Sequence, residues 1–194
     1  GQIVYQPLAR ITSAVQDGSF FSAPALLEAC AHVKKNNSRL QILGLYYPGG
    51  VHSYLEHCHE LLRLARDKGI KDVFLHLFTD GRDAPPYSAL ELLPLLEKVI
   101  EKFGVGRIAS LMGRFYAMDR NKNWERTEAA YKTMTMGNGS RARSPLEALD
   151  NYYRQGMSDE FIEPVNLVDD QGNPLALVQD NDAVICFNFR EDRL

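Results

Sequence analysis

Four short apolar runs punctuate the chain: QILGLYY at 41–47, DVFLHLFT at 72–79, RIASLM at 107–112 and DAVICFNF at 182–189. Near-continuous apolarity of this length suits strands buried on both faces, as in a parallel sheet. Between the runs the period lengthens to that of helices. Ser53 and Glu56 form an S-x-x-E capping box, Leu55, Leu61, Leu62 and Ala65 supply an inward stripe, and Gly69 ends the helix. A second helix follows Pro85 and Pro86, with Leu90, Leu93, Leu96 and Ile100 apolar, Gly104 as its stop and Pro94 as a kink. A third runs from Trp124 to Met134. This alternation predicts an α/β fold, a mainly parallel, doubly wound sheet flanked by helices with right-handed crossovers.

The flanks are less regular. Residues 1–22 read as an entry arm with helical periodicity and a turn at Asp17 and Gly18, and a helix from Pro24 to Lys35 follows, closed by Asn36 and Asn37. Residues 23–194 then form one domain. After Met136 the rhythm breaks: a loop leads to a short helix capped by Ser144, with Pro145 and Glu147 in its first turn. FIEPVNLV and NPLALV flank DQGN and read as a small β-hairpin. The last strand has no helix after it to cover it, so the chain is expected to be an excised piece, truncated at its C-terminus.

Composition narrows the function. The chain has 194 residues, 45% of them hydrophobic, enough for one sizeable domain. A net charge of -3 argues against a nucleic-acid surface. No apolar run approaches the ~20 residues of a membrane span, and no leader is recognisable. Cys30, Cys58 and Cys186 are an odd, widely spaced trio, read as reduced thiols in a cytoplasmic protein.

The candidate chemistry lies at the strand ends. Arg82 in TDGRD, Arg114 and Arg120 in GRFYAMDR, and Arg190 and Arg193 in NFREDR all follow apolar runs, with His52 in PGGVHS beside them. Loops at the carboxyl ends of parallel strands converge on one crevice. Guanidinium forks match carboxylate and phosphate oxygens two at a time. Any one of these arginines is accounted for by a neighbouring acid: Asp83, Asp119, Glu191 or Asp192. Five together predict a ligand carrying phosphate and carboxylate groups. Asp83 is the residue placed to bind hydroxyls or carry a proton, whereas Asp80 suits a turn cap. The glycines of PGGVHS offer backbone N–H groups to an anion at a helix start. His57 and His59 are expected to face solvent, His76 to be a hydrogen-bonded core histidine, and Arg126 to lie outside the crevice. No constellation of side chains suggests a metal site, and no serine has an evident base. The chain carries binding groups without a nucleophile.

PGGVHS, DGRDAPP, GRFYAMDR followed by NWER, and QDNDAVICFNFREDR together closely resemble the cofactor-independent (2,3-bisphosphoglycerate-independent) phosphoglycerate mutases, in order, from Tyr5 to the last residue. The part resembled is the inserted substrate-binding, or phosphotransferase, domain. The resemblance implies a glycolytic isomerase acting on 3-phosphoglycerate and 2-phosphoglycerate through a phosphoserine. It also implies that the serine and two manganese ions reside in a separate phosphatase-like domain, absent here, with no cofactor in this chain. A monomer is expected. By the same resemblance His52 contacts substrate, Arg82 and Asp83 hold the glycerate hydroxyl region, Arg114 and Arg120 lie on its carboxylate side, and Arg190 and Arg193 face the phosphoryl group. Tyr47 and Tyr54 depart from the pattern, standing where a serine and a second histidine are usual. The alternative is a non-catalytic phosphometabolite-binding module of the same fold. A nicotinamide-dependent oxidoreductase would need a glycine-rich fingerprint that this chain lacks.

Overall fold

A computed structural model describes residues 6–193. Its centre is a sheet whose strands are β1 (Leu40–Leu45), β2 (Val73–Thr79), β3 (Arg107–Gly113), β4 (Ser140–Ala142), β5 (Val165–Leu167) and β6 (Ala183–Cys186), in the order β4-β5-β3-β2-β1-β6. β6, β1, β2 and β3 are mutually parallel, β5 runs antiparallel to β3, and β4 pairs parallel with β5.

The alternation of side chains along each strand sorts the sheet's two faces. Leu40, Ile42, Leu75, Leu77 and Leu111 enter one core cluster, together with Cys30 and Val33 of α2 (Pro24–Asn36), Leu61 and Leu62 of α3 (Leu55–Asp67), Leu93 and Leu96 of α4 (Ala89–Phe103) and Leu149 of α7 (Pro145–Tyr153). The opposite face gathers Leu45, Tyr47, Phe78 and Met112 against Met118 and Ala130, the latter from α6 (Trp124–Met136). Burying one leucine of this kind contributes about 2–5 kcal/mol, judged by its truncation to Ala.

The expected helices form, with differences that have physical reasons. α1 (Pro7–Asp17) stops at Gly18, which takes the left-handed conformation. α4 runs through Pro94 without interruption. Ser53 does not cap α3: the helix begins after Tyr54, and the Ser53 hydroxyl donates instead to the Leu45 carbonyl. Ser144 does cap α7, accepting the Glu147 N–H at 3.1 Å. β6 is shorter than the apolar run suggests, and it is covered by α2, from before the first strand rather than after the last. The DQGN turn closes as expected, Asn173 accepting the Asp169 N–H, but the hairpin is reduced to a single bridge between Val168 and Pro174. Its first arm serves the main sheet as β5, next to the unanticipated three-residue β4.

Candidate active site

The parallel strands β2 and β3 deliver the TDGRD and GRFYA segments to one edge of the sheet. A 3-10 turn, Asp159–Phe161, lies directly across both. A Cβ at Gly81 would stand 2.6 Å from the Glu160 nitrogen, and one at Gly113 2.2 Å from the Glu160 carbonyl oxygen. Only glycine permits this approach, and Gly81 also holds a φ of 64°. Thr79 fastens the turn from below, donating its hydroxyl to the Asp159 carbonyl at 2.7 Å.

Arg114, the first residue of the short α5 (Arg114–Ala117), is 4% exposed although fully charged. Its guanidinium donates to Asp80 and, at 2.6 Å, to Asp83, and its second nitrogen lies 2.9 Å from His52 Nε2. Burial opposes its charge, but Asp83 and Asp80 outweigh that and hold its pKa above the ordinary value. Burial likewise opposes the Asp83 charge, and contacts with Arg114 and His52 pull its pKa below the usual carboxylate range. Asp80, expected only as a turn cap, does both jobs: one oxygen accepts the Ala84 N–H and the other accepts Arg114. Its position immediately after a fully buried strand was the signal available for the second role.

His52 Nε2 has two suitors. It lies 3.1 Å from Asp83 Oδ2, which needs a proton on it, and within reach of Arg114, which needs a lone pair. One nitrogen cannot satisfy both, and Nδ1, buried, has no partner at all. Burial first, then the charge of Arg114, pushes the His52 pKa below its ordinary value.

A small cleft of about 130 Å³ beside this cluster is lined by Arg82, Arg114, Arg120, Arg126 and Arg193, with Asp119 and Glu160 among its walls. Arg120 and Arg190 share the Asp192 carboxylate, at 2.7 and 2.6 Å. Arg193 donates to the Met118 carbonyl at 2.5 Å, and its buried Nε has no partner. Burial, followed by the charges of Arg120 and Arg114, pushes the Arg193 pKa below that of an ordinary guanidinium. Arg82 is the outlier, with a side chain 62% exposed and a 3.4 Å contact to Glu160.

The residues expected from the sequence therefore meet at one sheet edge, and three expectations, for Arg126, His57 and His59, are corrected there. Arg126 is not outside the cleft: Asp119 holds it at 3.2 Å and it stacks 3.6 Å over the Phe115 ring. The Val51 and His52 N–H groups, next to the glycines, both donate to the Tyr47 hydroxyl. His57 is buried against Tyr54 and Phe189, and His59 is half-buried, bonded to Tyr46 at 2.8 Å. Tyr47, one of the two departures from the family pattern, is fully buried beneath the glycine loop.

Over residues 11–194 the sequence matches the family described as BPG-independent PGAM N-terminus. The chain belongs to this family. Two curated relatives, both 2,3-bisphosphoglycerate-independent phosphoglycerate mutases, are 52% identical in Chloroflexus aggregans and 48% identical in Clostridium kluyveri, each match covering 100% of this chain. The chain spans 36% and 38% of their lengths. A crystal structure of Leishmania mexicana phosphoglycerate mutase at low cobalt concentration resembles it with a TM-score of 0.94 at 28% identity, over 99% of this chain and 36% of that one. Among the described residues no group of three or more His, Cys, Asp or Glu side chains is arranged to hold a metal ion. Cys30, Cys58 and Cys186 are free. No helix among the described residues is long and apolar enough to cross a membrane.

Proposed function

We propose that this chain is the substrate-holding part of a 2,3-bisphosphoglycerate-independent phosphoglycerate mutase, which interconverts 3-phosphoglycerate and 2-phosphoglycerate through a phosphoserine intermediate. The observation that carries the reading is the crowding of guanidiniums from separate strand ends around one cleft, where burial first and then the charges of Arg120 and Arg114 push Arg193 below its ordinary pKa. Crowding of that kind is relieved by a multiply charged anion. The names of the curated relatives supply the chemistry of that anion.

The serine, and two manganese ions to activate it, belong to the phosphatase-like domain of the full-length protein, outside these residues. Within them, Arg114, Arg120, Arg190 and Arg193 bind carboxylate and phosphoryl oxygens and keep the glycerate from escaping between the two transfers. Asp83, held ionised by Arg114, accepts the proton of the hydroxyl that attacks the phosphoserine. An anion that draws the Arg114 guanidinium toward itself leaves His52 Nε2 to Asp83 alone, and so settles the competition seen without ligand. The reaction serves glycolysis and, reversed, gluconeogenesis, in a cytoplasmic monomer.

The test is a coupled assay of the full-length protein with 3-phosphoglycerate and manganese, without 2,3-bisphosphoglycerate. Interconversion is expected from the full-length protein and none from the 194-residue chain alone. Full-length protein that binds 3-phosphoglycerate tightly but never converts it is instead a phosphometabolite-binding module, and the proposal fails.

A further inference from the structure

Three contacts that shape the loop between β1 and α3 end on one residue. The Tyr47 hydroxyl accepts the N–H groups of Val51, at 2.5 Å, and His52, at 3.0 Å. Its carbonyl accepts the Leu55 N–H at 3.1 Å, where α3 begins. The side chain is completely buried and packs with Leu45, Phe78 and Met112 on the face of the sheet under the cleft. Burial keeps this phenol protonated, its pKa raised further by the charges of Asp80 and Asp83. A neutral oxygen fixed by the core thus grips the backbone of the residue whose imidazole must meet Asp83 and Arg114.

Gly49 completes the arrangement. A Cβ there would stand 2.4 Å from Tyr47 Cε2. The loop lies flat on the ring, so the glycine is required by the ring rather than by the loop's own dihedral angles. A small side chain at position 47 could reach neither N–H group, and it would leave Gly49 without a surface to rest on.

We infer that Tyr47 is a positioning residue for His52, acting through the Val51 and His52 N–H groups, with Gly49 as its steric counterpart. The inference deepens the function proposed above and rests on His52 belonging to that site. Four charged groups face the imidazole: Asp83 after β2, Arg114 at the start of α5, and Arg190 and Arg193 after β6. A change at Tyr47 removes none of these charges.

Tyr47→Phe keeps the ring and its packing and deletes only the oxygen, orphaning the buried His52 N–H and releasing that of the exposed Val51. In the full-length protein we expect kcat/KM to fall about tenfold, the equivalent of one lost hydrogen bond. The readout that core packing alone would not move is the His52 titration, followed by NMR after histidine-selective ¹⁵N labelling. It should return toward the ordinary imidazole pKa as the loop relaxes, while His76, bonded to Gln41 and Ser110 instead, stays where it is. Gly49→Ala should reproduce the shift by pressing on the ring, and should add nothing in a Tyr47→Ser background, where the ring is gone. This second route decides the matter if Tyr47→Phe does not fold. A His52 titration unchanged in Tyr47→Phe and Gly49→Ala overturns the inference, even if activity falls, because Tyr47 would then matter only to packing. If wild-type protein shows no mutase activity, the proposed function fails, while the titration still decides the role of Tyr47.

Discussion

Two buried histidines on the same sheet have opposite surroundings. His76, in the middle of β2, is fully paired. Gln41 donates its amide N–H to Asp182 at 2.7 Å, which leaves its carbonyl oxygen to accept His76 Nε2–H at 3.0 Å, and His76 Nδ1 accepts the Ser110 hydroxyl at 2.8 Å. Every proton has one place to go, and burial pushes the His76 pKa down to about 4. His52, at the end of the sheet, has two competitors for one nitrogen and nothing for the other. A satisfied polar network rigidifies a core, whereas an unsatisfied buried group needs another explanation. Under the function proposed above, the substrate is the partner that completes the His52 site.

The largest effect expected from this contrast is at Asp83. Asp83→Asn in the full-length protein should lower kcat by roughly 10²–10⁴-fold, the usual range for loss of a general base. A loss under fivefold in the coupled assay would remove Asp83 from the proton path.

Arg114→Lys keeps the charge but not the fork that spans Asp80, Asp83 and His52. Losing one charge-assisted hydrogen bond of about 1.5–3 kcal/mol predicts a roughly ten- to hundredfold drop in kcat/KM. Arg126→Lys cannot serve as a distant control, since it lines the same cleft. Arg154, an exposed partner of Asp150 on α7, replaces it: Arg154→Lys should leave kcat/KM at the wild-type value.

The His76 network should act on stability and leave kcat/KM nearly unchanged. His76 is depressed from about 6.5 to about 4, so between those values the unfolded chain binds more protons than the folded one. Stability is therefore whole above pH 6.5, is lost as pH falls toward 4, and changes no further from this group below that. The full loss is about 3 kcal/mol. His76→Phe should remove that share of the acid slope in urea titrations at stepped pH. It should also destabilise the protein by about 1–3 kcal/mol per stranded partner at neutral pH. An unchanged acid slope would sink the assignment.

The smallest effect falls on Arg82, whose exposed pair with Glu160 contributes about 0–1 kcal/mol to folding. Arg82→Ala should leave the urea midpoint nearly untouched while raising KM for 3-phosphoglycerate. A shifted midpoint with an unchanged KM would make Arg82 an ordinary surface ion pair.

The central parallel strands β1, β2 and β3 were legible because they are buried on both faces and so are apolar at nearly every position, as VFLHLFT shows in β2, whereas β6, at the edge, leaves Val184 exposed. The arginines were legible because strand ends place them. β4 was not, since three residues carry no periodicity and Arg141 and Ala142 join the sheet only through β5. Ser53 and Glu56 satisfied a capping pattern, yet the Leu45 carbonyl, eight residues earlier, won the hydroxyl. His57 has polar neighbours in sequence, but Phe189, remote in the chain, buries it. Arg126 was misplaced for a similar reason: Asp119 and Phe115 fold the 119–126 loop back on itself. Long-range partners decide such cases, and a local pattern does not contain them.

Asp192 bridges Arg120 and Arg190 at the mouth of the cleft. It is a resident anion, supplied by the chain's own sequence two residues from Arg190. Under the proposed function, an incoming dianion would not meet bare guanidiniums but would exchange places with a carboxylate already seated, so its binding free energy would be a difference between two ion pairs. That difference is smaller than the ligand's ion pair alone, and the carboxylate stands ready to reoccupy the arginines as the ligand leaves. Guanidiniums crowded in this way would otherwise hold such a ligand too long; with Asp192 seated on Arg120 and Arg190, grip would be exchanged for release.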